Sequence, residues 1–179
     1  MAVRDILLLG NPQLLLVSEP VQESELAAVR KIGEDLHDTL MDFHNRHGWG
    51  RAIAAPQIGV LKRIVSLCLD RPWLILNPVA TSLSPQMVEI WEDCMSFPDL
   101  LVRVKRHRSL TMTFRDEDWG EQRCFFEGSS SELLQHELDH LDGVLAVAKA
   151  IDGASFALQS QLHLLHSGAF ANKPTVAPG

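Results

Sequence analysis

The stretch 134–143, which reads Leu-Gln-His-Glu-Leu-Asp-His-Leu-Asp-Gly, constrains this chain more than any other. His136 and His140 are four residues apart, so on a helix they project from the same face, one turn above the other. Two imidazoles at this spacing can bind one divalent metal ion, and Glu137 between them can act as a general acid and base. The stretch therefore predicts a helix that carries a metal site.

A stripe of leucines predicts how this helix packs. At about 100° per residue, one face of the helix collects Leu134, Leu138, Leu141 and Leu145, and the histidines lie to one side of it. We expect the stripe to face the core and the metal to lie at the edge of the interior, partly shielded from water. The alternative is an amphipathic helix with two incidental histidines, because a bare His-Glu-x-x-His pattern also occurs by chance.

Size and charge limit the class of protein. With 179 residues, of which 46% are hydrophobic and 22% charged, the chain is expected to form one globular domain over 1–179 with its own core. The net charge of -7 argues against a general nucleic-acid binder, DNA included, because such proteins normally present a basic surface. The basic run at 103–108 is an exception, for which we expect an edge strand with solvated side chains.

The cysteines and the hydropathy of the chain indicate its compartment. Three cysteines do not make a disulfide framework in a chain of this size. The apolar run 6–9 is too short for a signal peptide, and no apolar run is long enough to cross a bilayer. These features predict a cytoplasmic protein with no membrane partner, in which thiols stay reduced and available to metals.

Hydrophobic periodicity predicts an α+β fold. An extended arm over 6–20, with a turn at Gly10-Asn11-Pro12, precedes a long amphipathic helix over 24–46, capped by Ser24 and stopped by Gly48. Strands are predicted over 63–69, 73–76, 88–91, 109–114 and 122–126, with turns at 70–72, 77–78 and 116–120. A last helix over 155–166 leads into a flexible tail from about residue 168. The order of elements predicts a single domain, with small antiparallel or mixed sheets around the central metal-binding helix.

A catalytic site with two histidines needs a third protein ligand, and local sequence leaves the choice open. In catalytic zinc sites three protein ligands leave the fourth position for water. Cys68 and Cys124 lie in strand patterns, where a buried structural thiol is the default. Cys94 is mildly favoured, because it follows two acids at a break in the strand pattern, where a side chain can point at a site.

Small residues and a glutamine mark the segment 48–59. Small side chains such as those of Gly50 and Ala52 let a ligand or a neighbouring strand approach closely. The amide of Gln57 could donate a hydrogen bond to a developing oxyanion. From this segment alone, a tight turn with a solvated glutamine is the simpler interpretation.

Three segments, taken together, resemble the peptide deformylase family. Gly-Arg-Ala-Ile-Ala-Ala-Pro-Gln at 50–57 is similar to the family's first motif, Gly-x-Gly-Leu-Ala-Ala-x-Gln. Glu-Asp-Cys-Met-Ser at 92–96 is similar to its second, Glu-Gly-Cys-Leu-Ser, and Gln-His-Glu-Leu-Asp-His at 135–140 matches the third. The opening arm and the continuation at 141–145 agree too, so the likeness covers nearly the whole chain.

The resemblance implies a reaction and the residues that perform it. It implies the metal ligands Cys94, His136 and His140, the acid and base Glu137, and two oxyanion donors, Gln57 and the Met95 backbone N–H. It implies one divalent metal ion per chain, which is Fe²⁺ in the cell and which Zn²⁺ or Ni²⁺ can replace. The chemistry of the ligands alone does not decide between these metals. The enzyme so implied is a metal-dependent hydrolase that removes the N-formyl group from the N-terminal methionine of new polypeptides, meeting the ribosome transiently.

Two positions depart from the family motifs. Asp93 stands where the family has glycine and Ala52 where it has its second glycine, and with Gly50 they would line the peptide-binding groove. An added side chain there could narrow the groove or change its charge. The alternative function is therefore a deformylase-like amidohydrolase for a different N-formyl substrate. A third hypothesis, a non-catalytic homologue with a structural metal, is disfavoured because it would need neither Glu137 nor Gln57.

Two further residues bear on the charge around the metal. Asp93 beside the thiolate ligand adds negative charge, which would make a metal-bound water less acidic. Arg106 falls where the family often has an arginine. We expect it either to pair with Glu92 or to lie on the surface.

Overall fold

The structure, a computed structural model, describes residues 2–166. Within this range the chain forms three α-helices and eight β-strands. The flexible tail predicted from about residue 168 lies outside the described residues. No helix between residues 2 and 166 has both the length and the apolar character needed to span a membrane.

Helix α1, Leu26–His47, is the long N-terminal helix that the periodicity predicts. It ends at Gly48, whose φ of 76° places it in the left-handed region, so the predicted stop is confirmed. The predicted cap is wrong, because Ser24 lies inside a 3-10 turn that precedes the helix. In that turn the Gln22 N–H donates to the Glu25 carboxylate at 2.7 Å, a capping-box contact that belongs to the turn before the helix begins.

The larger sheet has five antiparallel strands in the order β1-β2-β3-β6-β7. Its strands are β1 Ala52–Ala54, β2 Ile64–Cys68, β3 Pro72–Leu83, β6 Ser109–Arg115 and β7 Glu121–Glu127. The sequence predicts four of them and misses β1. The predicted end of β3 at 77–78 is wrong, because the strand continues past a register shift between Leu76 and Val79, with Asn77 at φ 51°.

The smaller sheet is antiparallel too and has the order β4-β5-β8. Its strands are β4 Met87–Glu92, β5 Leu100–His107 and β8 Phe156–Leu158. The prediction of an edge strand at 103–108 is wrong, because β5 is the middle strand. One face of β5 is buried, and with Val102 and Val104 it carries Arg106 into the interior.

The larger sheet separates two apolar clusters. On one side Leu36 and Leu40 of α1 pack with Ile53 and Ile64. On the other side Leu134 of the next helix joins a second cluster formed by the alternate residues of the same strands. Successive strand residues point to opposite faces, so each short strand contributes to both clusters.

Helix α2, Ser129–Leu141, is the predicted metal-binding helix. It contacts β1, β6 and β7 of the larger sheet and β5 of the smaller one, which gives it the central position that was expected. The predicted leucine stripe is right only in part. Leu134 and Leu141 are fully buried, but Leu138 is half-buried and Leu145 lies beyond the end of the helix.

The C-terminal helix α3 is present but shorter than predicted, spanning Leu162–His166. The expectation of helix over 155–161 is wrong. Residues 156–158 form β8, which pairs with β5 from Leu100↔Leu158 to Val102↔Phe156, and a 3-10 turn follows. Pairing with the free side of β5 supplies hydrogen bonds that local helix propensity does not anticipate.

Candidate metal centre

Helix α2 and the segment after β4 bring three candidate ligands together. The Nε2 atoms of His136 and His140 are 3.1 Å apart, and Cys94 Sγ is 3.3 Å from His140 Nε2. One ligand atom from each residue lies within 4.8 Å of the other two, and all three residues are buried. Of the three cysteines, Cys94 is therefore the one that joins the histidines.

The geometry and chemistry of this donor set fit a divalent transition metal. In a tetrahedral site with bonds of roughly 2.1 Å to nitrogen and 2.3 Å to sulfur, the ligand atoms would be roughly 3.4–3.6 Å apart. The observed separations of 3.1 and 3.3 Å are close to these values. A thiolate with two imidazoles suits iron or zinc, and three protein ligands leave one position for water.

Backbone and side-chain donors surround the sulfur of Cys94. Cys94 follows β4 in a turn closed by a hydrogen bond from the Phe97 N–H to the Cys94 carbonyl at 3.0 Å. The Ser96 N–H donates to Sγ at 3.4 Å, and Gln57 Nε2 lies 3.8 Å from the same atom. Donors aimed at sulfur stabilise a thiolate, the form that binds a metal.

A buried ion-pair network holds the ring of His136. Arg106 is 2% exposed and donates to both oxygens of Glu92, at 2.6 and 2.9 Å. The second oxygen of Glu92 also lies 3.0 Å from His136 Nδ1. If Nδ1 carries the proton, Nε2 presents its lone pair to the centre, the usual arrangement for a ligating histidine.

The network settles the two alternatives for Arg106. A surface position is wrong, and the predicted pairing with Glu92 is confirmed. Arg106 also donates to Asp139 at 2.6 Å, and Lys149 reaches the other oxygen of Asp139 at 2.6 Å. Neither Asp139 nor Lys149 is predicted from the sequence as part of the centre. The position of Asp139 within the His-Glu-x-x-His motif could have marked it as part of the centre. The neighbouring sequence does not indicate which residues it pairs with.

The pKa values in the network reflect opposing effects. Burial raises the pKa of Glu92, but the hydrogen bonds from Arg106 and His136 outweigh it and lower that pKa to about 2. Burial lowers the pKa of Arg106, and its two carboxylate partners more than reverse this. Burial also lowers the pKa of His136, yet Cys94 and Glu92 raise it well above the ordinary value. The pKa of His140 is well below its ordinary value, because of burial and then the charge of His136.

Glu137 lies in the same pocket without a partner. Its side chain is buried, and Oε2 has no hydrogen-bond partner among the described residues. Burial raises its pKa to about 7, the charge of His136 opposes this, and Glu92 adds to it. A carboxyl group that titrates near neutral pH can both accept and donate a proton during a reaction.

Gln57 and Met95 also face the pocket. The interpretation of Gln57 as a solvated residue is wrong, because it is 1% exposed. Its Oε1 accepts the Ala54 N–H at 2.9 Å, and its Nε2 donates to Ser96 Oγ at 3.2 Å. The Met95 N–H forms no hydrogen bond with any of the residues that the structure describes.

The pocket has a volume of about 690 Å³ and contains the three predicted groove residues. Gly50 has a φ of 105°, which favours glycine, and a Cβ there would lie 3.3 Å from the ring of Phe43. Ala52 and Asp93 do not have a positive φ, so their side chains replace the family glycines without backbone strain. Ala52 is buried in β1, and Asp93 is exposed to the pocket.

Glu132 is an acidic pocket residue that the sequence did not lead us to predict. It is half-buried, lies one helical turn before His136, and lines the same pocket as Asp93. Its signal was available, since residues four apart on a helix share a face. Burial is the largest cause that raises the pKa of both carboxyl groups, and the charge of Arg51 partly opposes it in each case.

Comparison with known proteins gives one consistent result. Residues 3–155 match the family model described as polypeptide deformylase. A peptide deformylase of Leptospira biflexa is 40% identical over 161 residues, covering 82% of this chain and 87% of the relative. The solved peptide deformylase of Thermotoga maritima has a TM-score of 0.79 at 25% identity, covering 85% of this chain and all of that one (100%). A class I type b peptide deformylase from Acinetobacter baumannii, solved with Met-Ala-Ser bound, has a TM-score of 0.76 at 25% identity over 83% of this chain and 98% of that one.

Proposed function

This chain belongs to the peptide deformylase family, hydrolases that remove the N-formyl group from the N-terminal methionine of newly made polypeptides, and we propose that its candidate metal centre performs that reaction. The single observation that carries the assignment of roles is the convergence of Cys94, His136 and His140 within 4.8 Å. The unpartnered Glu137 faces the same pocket. A purely structural metal site would need no such free carboxylate.

Members of the family are metalloenzymes, and we assign Cys94, His136 and His140 as the ligands of one divalent ion per chain. A divalent ion held there supplies Lewis acidity, which polarises the formyl carbonyl and makes water acidic enough to ionise near neutral pH. We propose Fe²⁺ as the ion in the cell, with Zn²⁺ or Ni²⁺ as substitutes, since the donor set suits each of them. We place the enzyme in the cytoplasm, where a thiol ligand stays reduced.

Glu137 moves the proton in the proposed reaction. Its Oε2 accepts a proton from the water that attacks the formyl carbon and passes it to the amide nitrogen. The C–N bond then breaks, and formate and the free amino terminus leave. A pKa of about 7 suits a group that must first accept and then release this proton.

Two donors are positioned to stabilise the negative charge that develops on the formyl oxygen. The Met95 N–H is free among the described residues. Gln57 Nε2 gives one hydrogen to Ser96 Oγ at 3.2 Å and the other to a long contact with Cys94 Sγ at 3.8 Å, which a substrate oxyanion can replace. Gln57 is held by its own contact with the Ala54 N–H, so the amide is oriented before substrate arrives. Such preorganised donors typically contribute roughly 10²–10³ in rate each.

The proposed substrate is a formylated peptide that enters the pocket along Gly50, Ala52 and Asp93. The relative from Acinetobacter baumannii was solved with Met-Ala-Ser, and the pocket of about 690 Å³ here is large enough for a short peptide. We propose that the ribosome is a transient partner, because the substrate is made there. We treat residues 1–179 as one peptide deformylase-like domain, of which 3–155 match the family.

One specific observation favours a second candidate function. Asp93 and Ala52 add side chains to the pocket where the family motifs carry glycine, and Asp93 adds a charge. These changes favour a deformylase-like amidohydrolase that acts on a different N-formyl substrate. The two candidates share the reaction and differ in what lies beyond the formyl group.

Formate release separates these candidates and tests the roles of the residues. We expect the anaerobically purified protein to release formate from formyl-Met-Ala-Ser. Glu137→Gln should lower the rate by roughly 10²–10⁴ and leave the bound metal in place. Cys94→Ser should instead lose metal. Unchanged activity in Glu137→Gln would refute the assignment, and activity only on other formyl amines would favour the second candidate.

A further inference from the structure

The catalytic pocket contains two carboxylates, Asp93 and Glu132, that neither act in the proposed hydrolysis nor form a salt bridge with any described residue. Asp93 directly precedes the ligand Cys94, and Glu132 lies one turn before the ligand His136 on α2. Both side chains line the pocket that holds Glu137. They therefore lie beside the position of the substrate, on the walls supplied by two different elements.

Neither carboxylate is neutralised by the protein. Among residues 2–166, neither Asp93 nor Glu132 forms a salt bridge, whereas two other acids of the pocket do. Glu89 pairs with Lys105 at 3.5 Å, and Glu92 pairs with its buried arginine at 2.6 Å. The absence of a salt bridge thus distinguishes these two carboxylates from Glu89 and Glu92, while Glu137, which also has none among the described residues, is the proposed acid and base.

Arg51 is the pocket guanidinium that could offset this charge. It is exposed and lies close enough to affect the pKa of both carboxyl groups, but it makes no salt bridge with any described residue. At this part of the pocket two carboxylates therefore face a single guanidinium that pairs with neither of them. An unpaired carboxylate that lines a substrate pocket is stabilised by a cation that a ligand brings.

We propose that Asp93 and Glu132 select N-formyl peptides that carry a lysine or arginine side chain close to the formyl group. This inference rests on the proposed deformylase function and names the substrate class of that same site. The apolar part of the pocket, which includes Trp49, Ile90 and Leu133, can pack against the aliphatic stem of such a side chain. The charged end would then lie on the pocket wall that carries Asp93 or on the one that carries Glu132, with its stem against the apolar surface.

The test compares kcat/KM for four peptides by formate release from the metal-loaded enzyme. Formyl-Met-Lys-Ser and formyl-Lys-Ala-Ser place the cation at the second and first residue, and formyl-Met-Ala-Ser and formyl-Met-Glu-Ser are the neutral and acidic references. We expect at least one basic peptide to exceed the neutral one. Each carboxylate should contribute up to about fivefold, the range of partly exposed charge pairs.

Isosteric variants assign the preference to the two acids. Asp93→Asn and Glu132→Gln should each reduce the ratio of basic to neutral kcat/KM by up to about fivefold, and the double variant should remove the preference. A ratio taken on one enzyme preparation does not depend on its metal content. Glu23→Gln is the matched control, because Glu23 lies before α1, about 30 Å along the helix from the pocket residue His44. It should leave the ratio unchanged.

Binding of unformylated peptides gives a readout that does not depend on catalysis. Calorimetry on the metal-loaded enzyme should show Met-Lys-Ser or Lys-Ala-Ser binding more tightly than Met-Ala-Ser, and the difference should shrink in high salt. Equal affinities, a preference for the glutamate peptide, or a ratio that survives the double variant would overturn the inference. Formate release from no peptide would refute the proposed function, and the binding comparison would still decide the inference.

Discussion

The stability of the fold should depend strongly on Arg106, although this residue carries no catalytic role. Substituting Arg106→Met keeps the length of the side chain and leaves Glu92 buried without its main partner. The fall in the pKa of Glu92 from 4.5 to about 2 corresponds to about 3 kcal/mol at 1.36 kcal/mol per pKa unit. Removing one partner of a buried ion pair typically costs about 3–5 kcal/mol. We therefore expect the variant to lose about 3 kcal/mol of unfolding free energy near neutral pH.

The sign of the pH dependence follows from Glu92. Its folded-state pKa is depressed, so its stabilisation is complete above the unfolded pKa near 4.5 and is lost as the pH falls through about 2. In Arg106→Met, burial should raise the pKa of Glu92 above 4.5, so protonation relieves the penalty as the pH falls. Both effects reduce, at acid pH, the difference in unfolding free energy between the wild type and the variant.

Urea unfolding of the metal-free proteins, followed by tryptophan fluorescence between about pH 7 and pH 4, measures this difference. Lys149→Met is a matched control, because Lys149 pairs with Asp139 at the surface and its loss should cost less than about 1 kcal/mol. The double variant Glu92→Gln/Arg106→Met should recover much of the loss. A loss below about 1 kcal/mol for Arg106→Met, or one that is independent of pH, would contradict the reasoning.

Three further predictions concern the pocket. Gly50→Ala should lower the unfolding free energy, measured by thermal unfolding, by about 2 kcal/mol, because the residue has a φ of 105° and the new Cβ would contact the ring of Phe43. Gly48→Ala is the control, because Gly48 has a φ of 76° but open space around it, and it should cost about 1 kcal/mol. Gln57→Ala should lower kcat/KM by roughly 10²–10³ with metal retained, and loss of metal instead would indicate a structural role. Glu137→Gln should stabilise the chelator-treated protein by about 3 kcal/mol near pH 8, because ionising a buried group with a pKa of about 7 opposes folding. This gain should vanish near pH 4.5, and denaturant titration at both pH values checks it.

The elements that the sequence predicts are those whose signals are local. The helical periodicity of apolar residues predicts α1, which ends at Gly48, and the His-Glu-x-x-His spacing predicts α2. The turn residues at 116–120 predict the hairpin there. The pairing of His136 with His140 is a property of a single helix. Local sequence favours Cys94 only mildly over the other two cysteines, and the resemblance then implies that it is the ligand.

What the sequence does not predict depends on contacts between distant segments. Residues Phe156–Leu158 form a strand because they pair with β5 along the side that β4 does not occupy. Their local sequence is also compatible with a helix. Arg106 sits in a basic run that looks solvated, but the alternation of β5 turns it inward, toward carboxylates 14 and 33 residues away. Charge runs therefore give a poor account of burial when alternate residues of the strand that carries them face the interior.

Two buried glutamates of the metal centre differ in pKa because their surroundings differ. Glu92 and Glu137 lie in the same pocket and are both buried, yet the pKa of one is about 2 and that of the other about 7. The pKa values differ because Glu92 forms hydrogen bonds with Arg106 and His136, whereas Oε2 of Glu137 has no hydrogen-bond partner among the described residues. The first can only orient a ligand, and the second can exchange a proton near neutral pH. The free oxygen thus costs the fold stability in the same place where it makes proton transfer possible.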